Sequence, residues 1–336
     1  MMVDSEKAQE PESALGAAQA SPPAETPDFL AVRRALARLL RKRVKKFVAL
    51  APQVSAQANP KTVHDVRVWS RRLQQAVSAF FPKPRSGKVR RLRRTPRQIR
   101  RALGEWRNCD ALLEIIERRQ RHLRSDAKRL AWAFVRDYLL QKRSKEVARA
   151  GKKLLRQDLS DYAARAQRLL DQSPEENPQI LLQRLRDSVE QAWTQWHSVL
   201  NTARQTRAVN DLHAFRIATK DLRYREELLY DVGQKQVRPE LKWLAALQET
   251  LGVWHDSQVL HQAVAEAVAR PEILLNHLPV VRILLAQLET DREREAEDVE
   301  KIFRMAMTHE ERKQMDPSSE NPLTDHASPL TVRNTW

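Results

Sequence analysis

Glycine is scarce in this sequence, with 6 in 336 residues. Tight turns that need a positive φ can therefore be few, which argues against a β-rich architecture. There is one cysteine, Cys109. It excludes an intramolecular disulfide and a cysteine-based metal cluster, and it fits a reducing cytoplasm. No apolar stretch approaches the roughly 20 residues needed to span a bilayer, so no membrane insertion is expected. The N-terminus lacks a basic region followed by an apolar run, so no signal peptide is expected. Convincing period-two alternation of a strand is absent. So are a glycine-rich phosphate loop, a Ser/His/Asp arrangement and a metal-ligand cluster. These absences point to a binding module rather than an enzyme, with no cofactor.

Positive charge is in excess, with 60 Lys and Arg against 43 Asp and Glu, a formal charge of +17. Leu, Ala, Arg, Glu and Gln are plentiful and favour helices, so the expected class is all-α. A charge of this sign and size implies a polyanionic partner: nucleic acid, an anionic membrane or polyphosphate. Charge alone does not choose among them.

Residues 1–27 are rich in Ala, Pro, Glu and Ser and read as a disordered tail, as do the polar, proline-bearing residues 312–336. The folded region is expected over 28–311. Apolar residues recur there at helical spacing, beginning with Leu30–Leu50. Asn59-Pro60 reads as an N-cap followed by proline at the first helical position, and the helix it opens is expected to stop before Pro82. Thr95-Pro96 reads as the same start signal. Amphipathic stretches follow over about 107–124 and 126–170. The polar segment Asp171–Pro178 divides the chain into halves of about 28–170 and 179–308. In the second half, helices are expected over 179–205, 210–232, 238–251, 253–269 and 272–308.

The halves repeat one another. Val63-His64-Asp65-Val66-Arg67 corresponds to Leu212-His213-Ala214-Phe215-Arg216, at an offset of 149 residues. Leu103-Gly104-Glu105-Trp106-Arg107-Asn108 corresponds to Leu251-Gly252-Val253-Trp254-His255-Asp256, at an offset of 148. Two pairs in the same order at nearly equal offsets indicate an internal duplication of a helical unit. At about 100° per residue, His213, Arg216, Lys220 and Arg223 fall within one arc of about 80°. His64, Arg67 and Arg71 make the same stripe in the first half. Val66, Trp69, Leu73, Val77 and Phe80 form a separate apolar stripe, and Phe215, Ala218, Leu222 and Leu229 its counterpart. A single basic stripe is usually a solvated face. The same stripe twice, at the same spacing, points to an anionic ligand. Phosphate suits it: Arg offers a planar fork, Lys a point charge and protonated His a donor.

Lys83–Arg107 holds eleven cations and one acid, Glu105, and reads as a further basic wall, with Arg97, Arg100, Arg101 and Arg107 its best contributors. The eight cations of Arg33–Lys46 point mostly away from their helix's apolar side and read as an outer patch. Trp106 and Trp254 are expected in the core. Asp110, Glu114 and Asp256 are expected to pair with Arg107, His255 or neighbouring cations rather than to work as catalytic carboxylates.

The H-x-x-R-x-x-x-[RK] stripe, present twice and each time followed by L-G-x-x-[RH]-[DN], resembles the CHAD family, named for its histidine-bearing α-helical domain. Asn59-Pro60 and Lys220-Asp221-Leu222-Arg223-Tyr224 resemble the family's usual sequence at those places. The resemblance covers about 28–308. It implies two helical bundles related by the duplication, with a basic groove between them. It also implies binding of inorganic polyphosphate and association with polyphosphate granules in the cytoplasm, with nucleic acid as a weaker competitor. Gln74 stands where the second half has Arg223, and Asn108 where Asp is more usual.

Overall fold

The computed structural model describes residues 29–56, 59–82, 86–172 and 177–315. The expected tail 1–27 and residues 316–336 lie outside the described residues. Among the described residues the secondary structure is entirely helical: α1 (Phe29–Ala56), α2 (Pro60–Phe80), α3 (Gly87–Ala102), α4 (Gly104–His122), α5 (Asp126–Leu155), α6 (Tyr162–Asp171), α7 (Pro178–Thr206), α8 (Val209–Asp231), α9 (Arg238–Val268), α10 (Pro271–Asn276) and α11 (Leu278–Met315), with a short 3₁₀ turn at Lys235–Val237. The fold is all-α. No helix among the described residues is long and apolar enough to cross a membrane.

The start of α2 follows from its sequence. The Asn59 side chain accepts from the Lys61 N–H at 2.9 Å, and Pro60 spends no donor at the first position. The same dipeptide logic fails at Thr95-Pro96, which lies inside α3 rather than opening a helix. Pro96 cannot donate to the Leu92 carbonyl one turn back. That carbonyl instead accepts from the buried Tyr162 hydroxyl at 2.7 Å, so α3 runs on unbroken. The expected stretch 126–170 is two helices. Between them Asp158 accepts from both the Ser160 hydroxyl and its N–H, at 2.6 and 3.1 Å, a local turn that competes with helix. Conversely, the expected helices 238–251 and 253–269 are one, because α9 passes straight through Gly252. The expected 272–308 is α10 and α11, parted at His277.

Two hydrophobic clusters form, and each draws on both halves of the chain. The larger joins α1, α2 and α6 to α7, α8 and the start of α9, and takes in Ile302 and Phe303 from the far end of α11. The smaller joins Leu112 and Ile116 of α4 and Trp132 and Val135 of α5 to Leu260 and Val264 of α9 and Val281 and Leu284 of α11. Trp106 and Trp254 are buried as expected. Trp69 is half-buried, with the Arg72 guanidinium over its ring. Buried polar contacts fix the first half on the second. Arg43, 1% exposed, donates to the Arg72 carbonyl and to Asp231, both at 2.7 Å. Arg72 pairs with Glu227 at 2.6 Å. Gln75 of α2 donates to Asp221 of α8 at 2.8 Å. These links hold α2 alongside α8, the two helices that carry the repeated stripes.

Candidate functional site

The apolar stripes of α2 and α8 set which way their polar stripes point. Val66, Leu73, Val77 and Phe80 are buried in the larger cluster, as are Phe215, Leu222 and Leu229. Residues three and four positions apart share a face. His64, Arg67 and Arg71 therefore line up on α2, and His213, Arg216 and Lys220 on α8. The two rows border one cavity of about 650 Å³. Arg100 of α3, Arg107 and Asn108 of α4, and His255 and Asp256 of α9 complete its wall.

Some cations on this wall are anchored. Arg67 donates to the Arg100 carbonyl at 2.8 Å, and Arg100 donates to Gln74 at 2.7 Å. Arg107 sits 3.4 Å from Glu114. Others are not. Among the described residues, Arg71, Arg216 and Lys220 donate no hydrogen bond and form no ion pair, and the buried Nε of Arg216 has no partner. Arg71 only lies over the Tyr224 ring, 5.7 Å from its centre. A buried donor without a partner costs free energy, and an acceptor from outside the chain would remove that cost at the Arg216 Nε.

The electrostatics agree. Burial, reinforced by Arg216, Arg71 and Arg67, pushes the Lys220 ammonium down to about 7 from an ordinary 10.5. Burial and Arg216 lower the His255 imidazole to about 3. Burial is also the first cause holding His64 and His213 below the usual histidine value; Arg107 adds to it for His64 and Arg216 for His213. Arg67 and Arg100 are likewise lowered, by burial first and then by neighbouring guanidinium groups; Arg216 is lowered by burial, against the pull of Asp256 and with a smaller push from Arg71. Asp256 stands among these cations, its carboxyl raised by burial and pulled back by Arg216 and Arg107. Asp221, the other carboxylate of the lining, is already taken by Gln75 and Arg225, so the lining's own acids do not balance so many cations, and an oxyanion with several charges would.

Of the residues singled out from the sequence, His64, Arg67, Arg71, Arg100, Arg107, His213, Arg216 and Lys220 are on this wall. Arg97, Arg101 and Arg223 are not. Arg97 and Arg101 are exposed, close enough to Arg100 to act on it electrostatically but outside the cavity lining. Arg223 donates to Gln248 at 2.9 Å and packs over Tyr224. Tyr224, Gln74, Gln75, His255 and Asp256 line the cavity without having been singled out for it. The repeated L-G-x-x-[RH]-[DN] segment was the signal for the last two. A search for cations passes over neutral and acidic lining. Glu114 pairs with Arg107, and Asp110 with Arg143 at 2.6 Å, as expected of structural carboxylates. Among the described residues, no group of three or more His, Cys, Asp or Glu could hold a metal ion.

Comparison with known proteins now has a geometry to attach to. The CHAD domain family model matches residues 38–265. A crystal structure of the CHAD domain from the plant Ricinus communis superposes with a TM-score of 0.59 at 22% identity, covering 77% of this chain and 87% of that one. PptA from Streptomyces chartreusis gives the same TM-score at 17% identity, over 82% and 99% of the two chains. None of the curated proteins compared matches the chain. The matched model spans most of the chain, and it includes both polar stripes and every cavity-lining residue named above, so this protein belongs to the CHAD domain family.

Proposed function

We propose that the chain binds inorganic polyphosphate in the cavity between α2 and α8 and does not cleave it. The observation that carries this reading is the group of half-buried cations, Arg71, Arg216 and Lys220, that have no protein acceptor and line that cavity together, the Nε of Arg216 being fully buried. Phosphate oxygens are acceptors, charge-assisted bonds to them are the strong kind, and guanidinium forks match them. A linear phosphate polymer carries charge on all sides, so helices facing each other can each contact it. The family resemblance points to the same ligand.

Nucleic acid explains the net charge but not this site. The cavity has no Trp or Phe in its lining, and its one phenol ring, Tyr224, is 3% exposed and covered by Arg71 and Arg223, so the large rings that serve as base-stacking platforms are not offered there. Titration calorimetry with tripolyphosphate and with long-chain polyphosphate tests the reading, with RNA and duplex DNA as competitors at equal phosphate concentration. Binding of polyphosphate that neither nucleic acid displaces is expected. Displacement by either would overturn it. Release of orthophosphate in the presence of Mg²⁺ or Mn²⁺ would contradict the non-enzymatic part. Location at granules is part of the same proposal: a fluorescent fusion should form foci in cells that make polyphosphate and lose them when its synthesis is removed.

A further inference from the structure

Helix α3 has the densest positive charge of the described helices, with eight Lys and Arg in 16 residues, and only Arg100 of its residues lines the cavity. Its remaining arginines are ordered in another way. Arg90, Arg94, Arg97 and Arg101 are spaced four, three and four residues apart, which places them within an arc of about 60° and along about 16 Å of helix. All four are exposed. None of them donates to a carboxylate among the described residues, although Arg165 and Arg168 of α6 both pair with Asp161. No acidic residue occurs anywhere in α3. Like charges three and four apart on a helix repel, so this row weakens the helix that carries it. Helix α1 also carries eight cations and no acid, so the row on α3 is set apart by where it leads.

The row also has a direction. Its last two members lie beside the cavity: Arg97 and Arg101 both act electrostatically on Arg100, and Arg100 is part of the wall. At the opposite end, Lys88 and Arg91, together with Arg165, border a second cavity of about 700 Å³. Positive charge therefore continues without interruption from the central cavity along the outside of α3.

We infer that this row is an external track for the same polyanion: a polyphosphate chain too long for the cavity leaves it past Arg100 and runs along Arg101, Arg97, Arg94 and Arg90. The inference rests on the polyphosphate reading of the cavity and adds a length preference to it. A short chain is held by the cavity alone. A long one adds contacts in series, which raises its effective affinity without any change in the cavity. Exposed contacts of this kind act through counterion release, so they should show in the salt dependence.

The test compares Arg90→Gln/Arg94→Gln with the unaltered protein, using tripolyphosphate and long-chain polyphosphate as ligands over a range of salt. Arg38→Gln/Arg41→Gln on α1 removes the same charge elsewhere and serves as the control. The double α3 variant should bind long chains at least about fivefold more weakly, with a salt slope shallower by about 0.7 per lost contact, taking the single-strand value as a guide. Its affinity for tripolyphosphate should stay within about twofold of the original. An undiminished affinity for long chains would overturn the track. So would equal losses in the α1 variant, which would show a diffuse field, or equal losses for both ligand lengths, which would show a disturbed cavity. Loss of RNA binding with long-chain polyphosphate binding intact would assign the row to nucleic acid instead. Failure of the unaltered protein to bind either polyphosphate would overturn the cavity reading itself and is a separate result.

Discussion

Replacing Arg71 and Arg216 with Gln is the perturbation that separates a built site from a basic surface. The two project from the repeated stripes of α2 and α8 into one cavity, and neither makes a hydrogen bond to the described protein. Arg67 is less suited, because it also holds the Arg100 carbonyl at 2.8 Å and its loss would disturb α3. Each guanidinium removed takes away a charge-assisted contact worth about 1.5–3 kcal/mol. Two such contacts sum to about 3–6 kcal/mol, and every 1.4 kcal/mol is tenfold, so affinity for tripolyphosphate should fall by at least about a hundredfold. Folding should not suffer. Arg216 is already lowered by burial and by Arg71, so removing the pair relieves repulsion in the ligand-free protein, and the melting temperature should hold or rise. Arg38→Gln/Arg41→Gln removes the same charge from the exposed face of α1, where Arg41 bonds only to Gln167. Calorimetry and thermal melts of the two double variants decide the matter. Equal loss of binding in both would refute the site, as would a fall in melting temperature confined to the cavity variant, which would mean those arginines are structural.

Further outcomes follow from the same geometry. Lys220, at about 7 in the free protein, regains a proton beside bound phosphate, so binding should take up protons and strengthen as pH falls from about 9 to 7; calorimetry in buffers of different ionisation enthalpy reads the uptake, and Lys220→Gln should abolish most of it. Tyr162→Phe leaves the Leu92 carbonyl without its donor opposite Pro96 and should cost about 1–3 kcal/mol by urea denaturation. Gly252→Ala should add about 0.5–1 kcal/mol, because Gly252 is in mid-helix and a methyl group there would meet nothing within 4 Å.

The polar wall of the cavity was legible in the sequence because helical periodicity fixes which residues share a face. His64, Arg67 and Arg71, and His213, Arg216 and Lys220, needed only the three-and-four spacing and the opposing apolar stripe. Periodicity does not say which helix covers an apolar face. The interleaving of both halves in each hydrophobic cluster, with Phe303 of α11 packed in the same cluster as Phe47 of α1, rests on contacts far apart in the chain and left no local mark. The same limit explains Arg97 and Arg101. Composition marked all of Lys83–Arg107 as a wall, whereas a helix has more than one side, and of the arginines on α3 only Arg100 reaches the cavity. At Pro96 a local rule was outweighed by one distant hydroxyl, that of Tyr162. At Gly252 the burial of Leu251 and Trp254, which flank it in the chain, outweighed a weak local propensity.

The measurement that bears most directly on the central claim is a crystal structure of the protein with tripolyphosphate. Density for the phosphate chain between α2 and α8, with oxygens within hydrogen-bond distance of Arg71, Arg216 and Lys220, is the expected result. Phosphate found only on the outer faces of α1 or α3, with those three side chains still lacking an acceptor, would contradict it.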